Sequence, residues 1–210
     1  MNEYSFLYAI AGILLIGAMS PGPSFLVVAQ NALSQSRAHG VATAVGTGLG
    51  VSIFAILASY GVTALLDNVP SAYIVFKFIG GTYLLFLAYK IWRGAKEPLV
   101  MTSDQAGLQK KPQHGLLKAF LTGLVTQTSN PKTALVIAGI FAAFVPVEPP
   151  TNTVILVALI AFIIDFSWYA IVAISLSTTA SRNVYKKAKS GFDKTASVFL
   201  GIVGIKLLLS

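Results

Sequence analysis

The chain lacks cysteine altogether and contains few charged residues. Without cysteine, disulfide bonds, thiolate metal sites and thiol–disulfide relays are excluded. Only 10% of the 210 residues are charged, whereas an ordinary soluble domain has about 25%. Residues 4–36 and 40–66 contain no charged side chain, and each stretch is longer than the roughly 20 residues that a helical membrane span needs. A water-soluble enzyme is therefore excluded, and the composition predicts an all-α membrane protein.

The hydrophobic stretches predict six transmembrane helices. With about 30–35 residues for each span and its loop, the length of the chain accommodates six spans and no separate soluble domain. The predicted spans cover residues 4–32, 38–65, 71–92, 118–145, 151–176 and 192–209.

The basic residues predict how these spans are oriented. The net charge of +8 arises mainly from the first, third and fifth connections, whereas the second and fourth carry only Asp67 and Glu148. Short loops rich in lysine and arginine stay in the cytoplasm, so both termini are expected on the periplasmic side. The positive net charge is thus explained by the basic cytoplasmic connections, and no nucleic-acid partner is expected. The basic residues of the three connections are Arg37, Lys90, Arg93, Lys96, Lys110, Lys111, Lys118, Arg182, Lys186, Lys187, Lys189 and Lys194.

One long polar connector divides the chain into two halves. Residues 94–115 lack any apolar periodicity and are predicted to be a cytoplasmic linker between a first three-helix half, 1–93, and a second, 116–210. Because each half has an odd number of spans, the second enters the membrane from the opposite side. This arrangement is typical of inverted repeats, whose binding sites lie near the bilayer midplane.

The first span of each half is interrupted at a corresponding position. Pro21, Gly22 and Pro23 break the first span, and Asn130 and Pro131 break the fourth. Proline removes a backbone donor and clashes with the preceding turn, so each break creates a half-helix N-terminus with free N–H groups that suit a carboxylate. A simple proline kink is the alternative for either break. The matched pair favours a substrate site.

Polar side chains accompany both breaks. Gln30 and Asn31 follow the first, and Gln127 precedes the second. These amides bind a zwitterionic substrate or merely satisfy backbone groups that the breaks release. Lys132 lies at the start of a half-helix, where its charge opposes the helix dipole. We therefore expect it to face an anion, either the substrate carboxylate or Asp165.

Asp165 is the acidic residue predicted to lie well inside a span. An ionisable group there costs roughly 2.5–3.5 kcal/mol on insertion scales, so it needs a partner or a wet cavity. Asp165 either takes up and releases a proton during transport or pairs with a substrate ammonium. The structural alternative is a salt bridge to Lys132 or Lys77.

The motifs around the first break resemble those of a known family. The sequence runs from Ser-Pro-Gly-Pro-Ser-Phe at 20–25 through Ala-Gln-Asn-Ala at 29–32 and Arg-Ala-His-Gly at 37–40 to Gly-Thr-Gly-Leu-Gly at 46–50. Together with Asn-Pro-Lys at 130–132, it resembles the LysE/RhtB amino-acid exporters in motifs, length and span number.

The resemblance implies a multi-pass protein of the bacterial inner membrane that exports amino acids by using an ion gradient. Subgroups of the family export basic or neutral amino acids. We expect a small neutral substrate of the threonine or homoserine type, protons as counter-ion, no cofactor, contact with membrane lipid and a homodimer as one possible assembly.

Two other classes compete with an amino-acid carrier. A divalent cation exporter of a related family is the closer one, although such ions prefer clustered carboxylates or histidines. Ser129 and Lys132 have the spacing of a serine–lysine hydrolase, but Pro131 lies between them and the accompanying motifs are missing. The chain is therefore not expected to be an enzyme.

Overall fold

The computed structural model of the chain is all-helical throughout the residues it describes, which are 4–68, 70–97, 115–146, 149–150, 152–176 and 179–209. Eight helices lie within these ranges. They are α1 (Phe6–Met19), α2 (Pro23–Ser34), α3 (Arg37–Asn68), α4 (Pro70–Gly94), α5 (Leu116–Thr128), α6 (Pro131–Phe144), α7 (Thr153–Ser175) and α8 (Thr179–Leu209).

Both predicted breaks are present. Helix α1 ends at Met19 and α2 begins at Pro23, with a bend of 57° between them. Helix α5 ends at Thr128 and α6 begins at Pro131. In both helices that follow a break, proline occupies the first helical position, where its missing N–H costs nothing and its fixed φ suits the helix.

The helices make the chain a multi-pass membrane protein. Three of the described helices are long and apolar enough to cross a bilayer alone, through Arg37–Gly61, Tyr73–Gly94 and Thr153–Ser175. The bent pair of α1 and α2 together qualifies as a fourth span, and α6 is a shorter apolar helix. The count of six and the inverted relation of the two halves stay predictions.

The long helix α3 is central to the packing, since it packs mainly against α5 and α7, while α4 packs along α8. Glycines allow these close approaches. A Cβ added to Gly46 would lie 2.1 Å from the Phe120 carbonyl oxygen, and one added to Gly123 would lie 2.1 Å from that of Thr43. A Cβ on Gly81 would come within 3.0 Å of the Gly204 carbonyl oxygen. These small residues therefore allow close helix contact.

Two apolar clusters form the interior. One includes Ile10, Leu84, Phe141 and Leu200 and draws on α1, α3, α4, α6, α7 and α8. The other includes Phe25 and draws on α2, α3, α7 and the first part of α8. The helices α3 and α7 contribute to both, so a layer of residues between the clusters belongs to neither.

Part of the predicted linker and loops lies outside the described residues. Helix α4 ends at Gly94 and α5 begins at Leu116, but residues 98–114, which include Lys110 and Lys111, fall in a gap. Glu148 also falls outside the described ranges. The division into halves at residues 94–115 therefore stays a prediction.

Candidate functional site

A polar layer separates the two apolar clusters. In α3, Thr47 lies between Ala44 of one cluster and Val51 of the other. In α7, Asp165 lies between Ala161 and Tyr169 in the same way. Both Thr47 and Asp165 are buried. The break between α1 and α2 lies at this level too, so unwound backbone and buried polar side chains occupy one layer of the protein.

Gln127 connects the second break to the first and to α7. Its side chain is 2% exposed. The Ser24 hydroxyl donates a hydrogen bond to its carbonyl oxygen Oε1, and its Nε2 donates to Asp165 Oδ1 at 3.3 Å. Asn130 Nδ2 donates to Ser24 Oγ at 3.4 Å. Residues from four helical segments thus form one buried network.

The two carboxylate oxygens of Asp165 differ in their hydrogen bonds. Oδ1 accepts from Gln127, but the buried Oδ2 has no hydrogen-bond partner among the described residues. The Thr47 hydroxyl lies near the carboxylate and donates to the Ala44 carbonyl at 3.0 Å. A buried polar atom without a partner is costly, so Oδ2 is the atom of this layer most suited to a cationic or protonated ligand.

Lys132 reaches across to the first break. Its Nζ donates to the Ser20 carbonyl oxygen at 3.4 Å, at the C-terminal end of α1, where freed carbonyls carry negative partial charge. A Cβ built on Gly22 would lie 3.9 Å from Nζ, and Asp193 of α8 is close enough to interact electrostatically with Lys132. The end of α1 and Asp193 therefore supply negative charge beside Lys132, while the expected contact with a substrate carboxylate or Asp165 stays a prediction.

The two half-helix N-termini are capped differently. The Asn130 side chain accepts a 3.1 Å hydrogen bond from the backbone N–H of Lys132, which caps α6. Helix α2 begins after Gly22 without any side-chain cap. The free N–H groups expected at both breaks thus remain more open at α2, beside the Lys132 ammonium.

A cavity of about 50 Å³ lies within this layer. One water needs roughly 10–15 Å³ of such space, so the cavity holds about three to five water-sized groups. Its polar lining residues are Ser20, Ser24, Gln127, Asn130, Lys132, Thr133, Asp165 and Tyr169. Its other lining residues are Leu14, Gly17, Ala18, Gly22, Val51, Val136, Ile137, Ala161, Ile164 and Leu200.

The predicted site residues divide into three groups. Gly22, Gln127, Asn130, Lys132 and Asp165 line this cavity. The prolines act on the backbone, since Pro23 and Pro131 begin helices and Pro21 lines a neighbouring cavity.

The remaining two residues lie away from the cavity. Gln30 is exposed on the surface of α2. Asn31 Nδ2 donates to the Thr43 hydroxyl at 2.8 Å, and the hydroxyl of Thr43 donates to the His39 carbonyl. These contacts tie α2 to α3, so Asn31 links two helices and does not line the cavity.

Sequence reasoning missed a second buried polar cluster. Asp193 of α8 accepts a 2.9 Å hydrogen bond from the Ser20 hydroxyl and forms a 3.0 Å salt bridge with Lys189. Lys189 Nζ also donates to the Gly94 carbonyl at the end of α4, at 2.8 Å. Both residues of the pair are buried. Sequence reasoning did not single them out, because both lie among the lysines that predicted a cytoplasmic loop.

The geometry also bears on the two competing classes. Ser129 is exposed, while the Lys132 ammonium donates to the Ser20 carbonyl instead. Within the described ranges, no three histidine or acidic side chains come together in a group that would hold a metal ion.

Comparison with known proteins identifies similar sequences along nearly the whole chain. Residues 15–210 match the family described as LysE type translocator, which confirms the resemblance seen in the motifs. The chain is 27% identical to a threonine efflux protein of Escherichia coli K12, over 96% of both chains. It is 27% identical to a threonine efflux protein of Salmonella typhimurium LT2, over 97% of both. It is also 25% identical to the uncharacterized membrane protein YahN of Escherichia coli K12, over 99% of this chain and 91% of that one. No solved structure matches the chain.

Proposed function

Because this chain belongs to the LysE type translocator family, we propose that it is a secondary transporter that exports small neutral amino acids, of the threonine or homoserine type, across the bacterial inner membrane. The observation that carries the proposal is the buried cavity between the two helix breaks, which has Lys132 and Asp165 in its lining. An amino acid is a zwitterion, and this cavity offers one cationic and one anionic group.

The substrate carboxylate binds at the first break. There the Lys132 ammonium lies beside the uncapped start of α2, and both the charge and the free backbone N–H groups attract an anion. The Ser20 carbonyl, which accepts from Lys132 at 3.4 Å, is a weaker partner than a carboxylate. A bound substrate carboxylate therefore replaces this contact at small cost.

The substrate ammonium binds at Asp165. Oδ1 is already held by Gln127, which fixes the carboxylate, while Oδ2 has no hydrogen-bond partner in the described part of the chain. An ammonium group supplies the donors that this oxygen lacks. The Gln127 network thus acts as a support that orients Asp165 toward the substrate.

Transport is coupled to protons if Asp165 binds either the substrate ammonium or a proton, but never both at once. A protonated carboxyl group no longer attracts an ammonium. After it releases the amino acid to the periplasm, the transporter therefore returns to its cytoplasm-facing state with a proton bound in place of the substrate. Intramembrane carboxylates are common in proton relays of this kind. Export of one amino acid is then linked to proton uptake.

The size of the cavity favours a small substrate and requires movement. Threonine is larger than the three to five water-sized groups that about 50 Å³ holds. The arrangement therefore corresponds to a nearly closed state that widens when it binds a substrate. Bending at the breaks provides such movement, since neither break is bridged by continuous helical hydrogen bonds.

The orientation follows from the basic residues. With the lysine-rich ends of α4 and α8 in the cytoplasm, both termini lie in the periplasm and α1 enters from that side. The cavity that Lys189 and Asp193 line with the end of α4 then opens toward the cytoplasm.

The experiment compares bacterial cells with and without this chain after loading them with dipeptides of each amino acid. Intracellular peptidases release the amino acid, and its concentration is measured inside and outside over time. We expect the protein to lower the internal concentration of threonine, homoserine or a similarly small neutral amino acid. If it lowers that of no amino acid, the proposal is wrong, and divalent cations are the next class to test in the same cells.

A further inference from the structure

We propose that the Lys189–Asp193 ion pair and the cavity in front of it form a second substrate site, a cytoplasmic subsite that holds a zwitterionic amino acid before it enters the central cavity. This inference rests on the proposed function, because it assumes that an amino acid is the transported molecule. It assigns a binding role to residues outside the central cavity.

A large cavity leads to the ion pair. It measures about 630 Å³, more than ten times the central one, and adjoins the end of α4. Lys189 and Asp193 line it together with Ser20 and Pro21 of the first break, and Lys90 and Arg93 contribute further positive charge. It therefore has room for a whole amino acid, and it attracts a carboxylate because its three basic residues outnumber the two acidic ones, Asp193 and Glu97.

The ion pair itself matches a zwitterion. Lys189 and Asp193 are buried and joined at 3.0 Å, and burial of two charges is expensive unless each is well paired. A substrate carboxylate at Lys189 and a substrate ammonium at Asp193 replace one ion pair with two, so neither buried charge loses its partner. A neutral solute or a simple ion offers only part of this exchange.

Each member of the pair has a second contact that holds it in place while the pair opens. Lys189 donates to the Gly94 carbonyl at 2.8 Å, and Asp193 accepts from the Ser20 hydroxyl at 2.9 Å. The first contact fixes the lysine to the end of α4, and the second fixes the aspartate to the break between α1 and α2. When the salt bridge opens to admit a substrate, each charged group therefore keeps its second contact.

Ser20 makes the subsite continuous with the central cavity. It lines both cavities. Its hydroxyl is held by Asp193, while its carbonyl is held by Lys132. A substrate ammonium at Asp193 takes the place of Lys189 at Oδ2 and leaves the bond from the Ser20 hydroxyl to Oδ1 intact. A substrate carboxylate that advances to Lys132 competes with the Ser20 carbonyl. Passage into the central cavity thus frees the Ser20 carbonyl, one of the two contacts that hold this residue at the first break.

The test uses the absence of native cysteine. Glu97 is exposed and lines the large cavity, so Glu97→Cys places a single thiol at this cavity. It is labelled with a maleimide from the cytoplasmic face of inside-out vesicles, with and without threonine, in the Asp165→Asn background. That background removes the ammonium partner of the central cavity. Lys187→Cys, which is exposed on the same side, is the matched control.

We expect threonine to slow labelling of Glu97→Cys by about tenfold at saturation and to leave Lys187→Cys unchanged. Threonine methyl ester, which has no carboxylate charge, should give much less protection. If Glu97→Cys is labelled equally fast with and without threonine, the subsite does not exist. Equal slowing of both thiols also overturns the proposal, because it indicates a general conformational change.

A second measurement removes both charges of the pair together. In the double variant Lys189→Met with Asp193→Leu, the Michaelis constant for threonine should rise about tenfold or more at the cytoplasmic face, because charge-assisted contacts are lost. Exchange measured from the periplasmic face should change little. If the Michaelis constant at the cytoplasmic face is unchanged, or if it rises equally at both faces, the ion pair has only a structural role. If the wild-type protein transports no amino acid at all, the proposed function fails first and this inference with it.

Discussion

Gln127 Nε2 donates a hydrogen bond to Asp165 Oδ1 at 3.3 Å, which joins the end of α5 to the middle of α7. The same amide accepts from Ser24 at the start of α2. One side chain from the second break therefore holds both the intramembrane carboxylate and the helix that follows the first break. Residues far apart in sequence thus belong to one buried hydrogen-bond network.

Replacement of Gln127 by leucine tests this support. Leucine has a similar size but offers no hydrogen bonds, so Ser24 and Asp165 are left with unsatisfied buried groups. We expect a loss of about 1–3 kcal/mol in the free energy of unfolding and a strong loss of transport. Thermal unfolding of the purified protein and uptake into vesicles measure the two effects. The control is Thr128→Ala, because the neighbouring Thr128 is exposed. Equal behaviour of the two variants would argue against the network.

Gly50 of α3 controls the position of Gln127 by close contact. A Cβ at residue 50 would lie 2.7 Å from the Gln127 Cβ, so Gly50→Ala should push Gln127 away from Asp165. We expect destabilisation by about 1–3 kcal/mol, as for other overpacked interiors, together with reduced transport although Gly50 does not line the cavity. In the same helix, Gly61→Ala is a matched control because no atom lies within 4 Å of the added Cβ. Normal transport by Gly50→Ala would show that the position of Gln127 is not critical.

Lys132 is predicted to recognise the substrate carboxylate. Lys132→Met removes the charge at nearly constant length, and we expect the Michaelis constant for threonine to rise about tenfold or more, since charge-assisted hydrogen bonds are the strong ones. Lys77→Met is the control, because Lys77 of α4 does not line the central cavity. Its ammonium lies 5.5 Å from the ring centre of Tyr73. The account would be contradicted by equal Michaelis constants for the two variants.

The orientation of the chain can be measured directly because there is no native cysteine to mask. Asn152→Cys precedes α7, and Lys187→Cys lies in the first part of α8; both positions are exposed. A membrane-impermeant maleimide added to intact spheroplasts should label Asn152→Cys alone, and inside-out vesicles should give the reverse pattern. The opposite labelling would invert the topology and place the large cavity on the periplasmic side.

The breaks were predictable from sequence because proline and glycine act locally. Proline cannot donate within a helix, whatever surrounds it, so Pro21, Pro23 and Pro131 fix the helix boundaries by themselves. Asp165 was predictable for a related reason, since one carboxylate within an apolar span must be buried in protein or water.

Contacts between distant segments were not predictable in this way. Gln30 and Asn31 lie seven and eight residues after Pro23, whereas Gln127 lies four residues before Pro131, and of the three only Gln127 lines the cavity. Asp193 was overlooked because it lies among lysines, and only packing of α8 against the first break shows that it is buried with Lys189. Lys132 was expected to face a substrate carboxylate or Asp165, and this stays a prediction. Its contact with the Ser20 carbonyl was not foreseen, because composition does not show where a backbone acceptor will lie.

The most direct measurement is uphill transport by Asp165→Asn in inside-out vesicles. Asparagine keeps the shape and can still bond to Gln127, but it neither carries a proton nor pairs with an ammonium. In vesicles with an acidic interior, the wild-type protein should accumulate labelled threonine, and a protonophore should abolish the accumulation. Asp165→Asn, present in the membrane in equal amount, should show none. Accumulation by Asp165→Asn at the wild-type rate would contradict the central role of this carboxylate.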